Sequence, residues 1–141
     1  MTNNLGDWLG FDSISESDQR IYTLVFSEEH IGNPLIRALH GGVLATFMEY
    51  SALCELKHLT GDPVVYETIN VSVDYLRSAK AKNLCASAEV IKKGRNLMVV
   101  DVTTWQSDTA KPVARATCSF VRAVAQGAPS KPTRRTRNGL D

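Results

Sequence analysis

The sequence predicts an α+β chain in which one antiparallel sheet wraps around a single long central helix. Three observations carry this. Val43 to Leu59 is an apolar segment free of glycine and proline, headed by His40-Gly41-Gly42 and stopped by Gly61-Asp62-Pro63. Four strand-like segments follow it, and short polar loops between them make them antiparallel neighbours. One more alternating run stands before the helix. A buried helix packed on such a sheet is the economical arrangement of these elements.

Taken in order, Met1 to Gln19 is polar, with Trp8, Leu9 and Phe11 as anchors. Arg20 to Ser27 alternates and reads as a strand. Glu28 to Leu39, with Gly32 and Pro34, reads as a connection. The helix is apolar nearly all round, from Val43 and Leu44 through Leu53 to Leu59, so it is expected to be enclosed. Thr68 to Tyr75 alternates without a break, with Ile69, Val71, Val73 and Tyr75 on one face. Leu84 to Ile91 alternates again. Lys93-Gly94-Arg95-Asn96 makes a turn, and Met98 to Trp105 is rich in β-branched residues. Gln106 to Pro112 is a polar loop, and Val113 to Val124 closes the set. Gln126 to Asp141 carries Lys131, Arg134, Arg135 and Arg137 with almost nothing apolar. The expected division is one domain over residues 1–125 and a disordered basic tail over 126–141.

A chain of 141 residues suits one core, and 43% hydrophobic content excludes a wholly disordered protein. A net charge of +1 offers no general attraction to a polyanion, so no nucleic-acid partner is expected. No apolar run approaches the roughly 20 residues that cross a bilayer, and the acidic lead Met1 to Asp18 has no signal core. No membrane partner is expected, and the expected location is cytoplasmic. Cys54, Cys85 and Cys118 read as separate buried thiols in a reducing compartment. Neither they nor His30, His40 and His58 show metal-ligand spacing, so no metal and no cofactor are expected. Nucleophile-elbow, P-loop and dinucleotide motifs are absent.

The chemistry concentrates at the helix start. Two glycines place backbone N–H groups at a helix N-terminus with no side chain in the way, an arrangement suited to a developing oxyanion. Glu49 follows His40 by nine positions and is the first carboxylate of an otherwise apolar helix.

Ala38-Leu39-His40-Gly41-Gly42-Val43 through Glu49 resembles the helix signature of hotdog-fold acyl-CoA thioesterases of the PaaI and 4-hydroxybenzoyl-CoA type. Val71-Ser72-Val73-Asp74-Tyr75-Leu76-Arg77 resembles that family's strand after the helix, and Val90-Ile91-Lys92-Lys93-Gly94-Arg95 its hairpin near the coenzyme. The resemblance runs from about Leu9 to Val124 and implies a hotdog fold.

The resemblance also implies roles for individual residues. Glu49 falls on the catalytic carboxylate, a nucleophile or general base. Gly41 falls on the N–H that binds the carbonyl oxygen, His40 on the histidine that shapes the turn, and Asn33 near an amide beside the thioester. Leu53 stands where some members carry a water-positioning hydroxyl, with Tyr50 and Ser51 nearby. Gly42, Phe47 and Met48 are expected against the acyl group. Lys93 and Arg95 are expected to meet coenzyme A phosphates, in a cluster with Lys80, Lys82 and Lys92 at two adjacent strand ends. Coenzyme A is then part of the substrate, and the site spans two chains of a homodimer or homotetramer. Two other readings compete: a hotdog enoyl-CoA hydratase or dehydratase, and a non-catalytic acyl-CoA-binding module.

Overall fold

In the computed structural model, which describes residues 11–16, 19–33, 35, 37–61 and 64–123, the predicted helix forms where its start and stop signals stand. The elements run β1 (Phe11–Glu16), β2 (Gln19–Leu24), a 3-10 turn (Glu28–His30), β3 (Ile31–Asn33), β4 (Ala38–Leu39), α1 (Gly41–Thr60), β5 (Tyr66–Tyr75), β6 (Leu84–Lys93), β7 (Leu97–Trp105) and β8 (Ala114–Arg122). His40 is the N-cap of α1, and its carbonyl accepts the Val43 and Leu44 N–H groups at 3.1 and 3.2 Å. At the far end Gly61 turns the chain with φ +78°, a conformation glycine adopts without strain. Its N–H donates to the Lys57 carbonyl at 2.7 Å.

The sheet is antiparallel and has six strands in the order β1-β2-β6-β7-β8-β5. The sequence pattern predicted five. The sixth, β1, comes from a stretch read as polar lead-in. It pairs with β2 from Phe11↔Leu24 to Glu16↔Gln19. A small hairpin, β3 with β4, also replaces part of the expected connection.

One stripe of α1 is buried on the sheet: Val43, Leu44, Phe47, Met48, Ser51, Ala52 and Leu56. The facing side of the sheet offers Met98, Val100, Val102, Ala114, Ala116, Cys118 and Phe120, all in the core. Each large side chain so buried stabilises the fold by roughly 1.5–3 kcal/mol. The expectation of a helix enclosed on every side is corrected: Leu59 is half exposed, and Leu53 and Cys54 are only partly covered. One sheet covers one side of a helix, and the apolar residues on the other side stay open in a single chain. The C-terminal half of α1 is tied to β2, where the buried Tyr22 hydroxyl donates to Glu55 Oε1 at 2.7 Å. Burial, followed by the Glu55 carboxylate, raises the Tyr22 pKa.

Two bulges break the alternation that the sequence suggested. In β5 the register passes from Thr68↔Phe120 to Asn70↔Ser119, so Ile69 is the extra residue. In β6 it passes from Val90↔Val100 to Lys92↔Val99, and Ile91 is extra. Each bulge shifts the following residues by one place and leaves an isoleucine about half exposed. Thr68 and Lys93 therefore share the helix side of the sheet with their partners Phe120 and Met98. Phe120 and Met98 pair with each other, so Thr68, Phe120, Met98 and Lys93 form one row across four strands.

Among the described residues no helix is long and apolar enough to cross a membrane. The basic tail over 126–141, Trp8 and Leu9 lie outside the described residues.

Candidate functional site

The helix start is built from both sides. The His40 N–H donates to the His30 carbonyl at 2.8 Å. Gly32 of β3 lies so close that a Cβ there would stand 2.7 Å from His40 Nδ1 and 3.0 Å from its Cα. The histidine thus has backbone packed behind it and an exposed side in front. On the other flank, the Tyr75 hydroxyl donates to the Gly41 carbonyl at 2.9 Å. A Cβ at Gly41 would meet the Tyr75 ring at 3.4 Å, whereas one at Gly42 would meet nothing within 4 Å. The Gly41 and Gly42 N–H groups precede the first intrahelical hydrogen bonds. A groove of about 380 Å³ opens beside them, lined by Leu39, Gly41, Leu44, Tyr75, Leu76 and neighbours.

Glu49 lies two turns further along α1 and is partly exposed. Thr68 Oγ1 donates to Glu49 Oε2 at 2.8 Å. This contact exists because the bulge at Ile69 turns Thr68 toward the helix. Cys118, buried on β8, also senses this region. Burial above all, then the negative charges of Glu49 and Asp101, push its thiol up to about 12.

At the far end of the Thr68 row, Lys93, Gly94, Arg95, Asn96, Met98 and Arg122 surround a groove of about 480 Å³. Its floor is fixed by backbone bonds, Gly94 N–H to the Leu97 carbonyl at 2.9 Å and Arg122 N–H to the Asn96 carbonyl at 3.0 Å. Three cations face it, and among the described residues none of them is ion-paired. Across three strand spacings of about 4.8 Å, the Lys93 end of this groove is roughly 14 Å from Thr68, while its Arg122 side lies on β8, the strand next to β5.

The expected residues therefore divide. His40, Gly41 and Gly42 meet at one exposed place. Asn33 lies on the adjacent hairpin, exposed, with its Oδ1 accepting the Leu35 N–H at 3.1 Å. Lys93 and Arg95 share the cationic groove. Phe47 and Met48, expected against the acyl group, are instead fully buried in the core between α1 and the sheet. Lys80 and Lys82 precede β6 and stand at the opposite end of that ten-residue strand from Lys93, about 30 Å away. The expected single cluster is thus two, and Lys82 Nζ donates to Ser107 Oγ at 2.8 Å. Ser51 spends its hydroxyl on the Phe47 carbonyl at 2.8 Å.

Three residues were missed by reading the sequence: Thr68, Tyr75 and Arg122. Thr68 sits in the polar phase of an alternating strand and Tyr75 in the apolar phase, so neither stood out. Arg122 is separated from Lys93 by a whole strand, and only the β6-β7-β8 order brings them together.

The sequence profile of the thioesterase superfamily matches residues 37–113, more than half of the chain. No curated protein sequence matches this chain. Similar solved structures share the fold, an antiparallel sheet around one helix known as the hotdog. A Bacillus halodurans protein solved with CoA is 21% identical, with TM-score 0.79, over 89% of this chain and 82% of that one. A Ralstonia eutropha phenylacetic acid degradation-related protein is 22% identical, with TM-score 0.76, over 86% of this chain and 91% of that one. The E. coli PaaI protein from the phenylacetic acid degradation operon is 20% identical, with TM-score 0.71, over 88% and 87%.

Proposed function

This chain belongs to the thioesterase superfamily, and from that premise we propose that it hydrolyses the thioester of an acyl-CoA. Gly41 N–H holds the carbonyl oxygen, and Glu49 is the nucleophile or general base. The observation that carries this reading is a separation. Gly41 and Glu49 are eight residues apart on one helix, about 12 Å along its axis. A carbonyl attacked at carbon and stabilised at oxygen needs both groups within about 3 Å of it. One chain does not supply both, so the site takes Gly41 from one copy and Glu49 from another across a two-fold interface. The exposed edge strand β5, with Ile69 and Tyr75 about half exposed, suits such a contact. The assembly is then a homodimer, or a homotetramer built from two.

As general base, Glu49 takes a proton from water while the water oxygen bonds to the carbonyl carbon. The tetrahedral oxyanion rests on the Gly41 N–H. Its collapse breaks the C–S bond, and the departing thiolate takes the proton back. As nucleophile, the carboxylate bonds to carbon first, thiolate leaves, and water then cleaves the anhydride. Thr68 occupies Oε2 in either route and leaves Oε1 for the reaction. The groove of Lys93, Arg95 and Arg122 receives the coenzyme's phosphates, at a span that an extended pantetheine arm covers. The CoA-bound Bacillus halodurans relative supports that substrate class. Coenzyme A enters as part of the substrate, and the reaction needs no other cofactor.

The test is thiol release from benzoyl-, phenylacetyl-, hexanoyl- and palmitoyl-CoA. Glu49→Gln should lower kcat at least ~100-fold with KM and Tm near wild type. Gly41→Pro removes the N–H at a helix position that tolerates proline, and His40 at φ −60°, ψ 135° already has the backbone a residue before proline adopts. It should cost about 10²–10³-fold. Co-refolding the two inactive variants should restore part of the activity, because one site of each mixed dimer has both groups intact. No release from any of the four thioesters would sink the activity. Failure of the mixture to recover would sink the shared site.

A further inference from the structure

We propose that Tyr75 is a positioning residue for the helix start, whose hydroxyl orients and polarises the Gly41–Gly42 peptide so that the Gly42 N–H becomes a second oxyanion donor. The inference rests on the thioesterase reading and deepens it. The carbonyl of Gly41 and the N–H of Gly42 are two ends of one planar unit. A hydroxyl at 2.9 Å from that carbonyl draws charge toward itself and strengthens the N–H at the other end. The preceding peptide is held in the same way, because the His40 carbonyl accepts from Val43 and Leu44. Both peptides at the helix start therefore have their carbonyls fixed and their N–H groups ahead of the helix.

Gly42 makes no sense as a fold requirement. Its φ is not positive, and a Cβ there would touch nothing within 4 Å. What the glycine leaves is open access to its own N–H. Within one chain Tyr75 is likewise not held by burial, since it is 55% exposed. Its hydroxyl bond and its contact with Gly41 are what fix it.

The bulge explains how one strand reaches both places. Thr68 and Tyr75 are seven positions apart, an odd number that puts residues on opposite faces of a regular strand. The extra residue Ile69 returns them to the same face. One strand then braces Glu49 through Thr68 and Gly41 through Tyr75.

Tyr75→Phe keeps the ring and removes the hydroxyl. With the fastest of the four acyl-CoAs, kcat should fall about tenfold with KM within twofold, because an oxyanion donor acts on the transition state. The amide 15N shift of Gly42 should move in the ligand-free variant, a readout independent of turnover. If Tyr75→Phe proves unstable, 3-fluorotyrosine at 75, assayed below its ionisation, keeps the fold and strengthens the donor, and kcat should not fall. A wild-type kcat for Tyr75→Phe, a rise in KM alone, an unmoved Gly42 resonance, or a lower kcat with fluorotyrosine would each overturn the positioning role. These outcomes leave the thioesterase reading standing. That reading fails separately, if wild-type protein releases no thiol.

Discussion

The inner strands β7 and β8 and the flanking strands β5 and β6 follow different rules. β7 and β8 pair without a break from Leu97↔Val121 to Thr104↔Ala114. Their helix-side residues are buried from Met98 to Thr104 on β7 and from Ala114 to Phe120 on β8, and Arg122 at the end of β8 is exposed. β5 and β6 each carry one extra residue, and each bulge puts a polar side chain on the helix side: Thr68 beside Glu49, and Lys93 beside Arg122. Regular pairing makes the platform, and the interrupted strands carry Thr68 and Lys93 of the proposed site. A bulge costs ladder regularity, and here each one falls within two residues of a side chain of the proposed site, Thr68 or Lys93.

The largest expected effect tests the platform. Phe120 is fully buried in the centre of the four-strand row. Phe120→Ala should cost about 3–5 kcal/mol of stability, read from urea unfolding. Turnover per folded molecule should stay near wild type at a temperature where the variant is folded. A stable variant with lost activity would place function in the inner strands and erase the distinction.

A smaller effect tests the first bulge. Thr68→Val removes the hydroxyl on Glu49 Oε2 at nearly constant volume. The bond orients the carboxylate, and a misplaced catalytic group can cost up to about 10²-fold, so kcat should fall roughly tenfold while KM holds. Thr68→Ser should recover most of the loss. Equal damage from Ser and Val would mean that Thr68 matters as packing.

The same contrast explains what was legible in the sequence. The helix announced itself through Gly41-Gly42, an uninterrupted apolar run and Gly61, each a local signal. The inner strands were legible because Met98 to Trp105 is rich in β-branched residues and a polar loop separates it from Val113 to Val124. The candidate carboxylate stood out because it is charged within an apolar helix. Thr68 and Tyr75 were hidden because bulges are decided by cross-strand register, which a single strand's pattern does not contain. Phe47 was misplaced for a related reason. Helical spacing names a face, and only the packed sheet says that this face looks inward. β1 was hidden because Phe11 to Glu16 lies in a stretch that reads as polar lead-in.

The smallest expected effect separates the two cationic ends of β6, and it tests the second bulge. Lys93 is turned into the groove with Arg95 and Arg122, while Lys82 lies at the other end of the strand and donates to Ser107. If the groove takes the coenzyme's phosphates, its contacts are the same in ground and transition states, since the phosphates are remote from the thioester. Lys93→Glu should then raise KM several-fold with kcat little changed. The rise should shrink as salt is added, because an exposed pair is screened beyond about 10 Å at 0.1 M. Lys82→Glu reverses the same charge and leaves net charge equal in the two variants, so general attraction to a polyanionic substrate affects both alike. A KM change confined to Lys93→Glu supports a phosphate site at the bulged end. Equal changes in the two variants would reduce the groove to general electrostatics, and a change only with Lys82→Glu would move the coenzyme to the opposite end of the sheet.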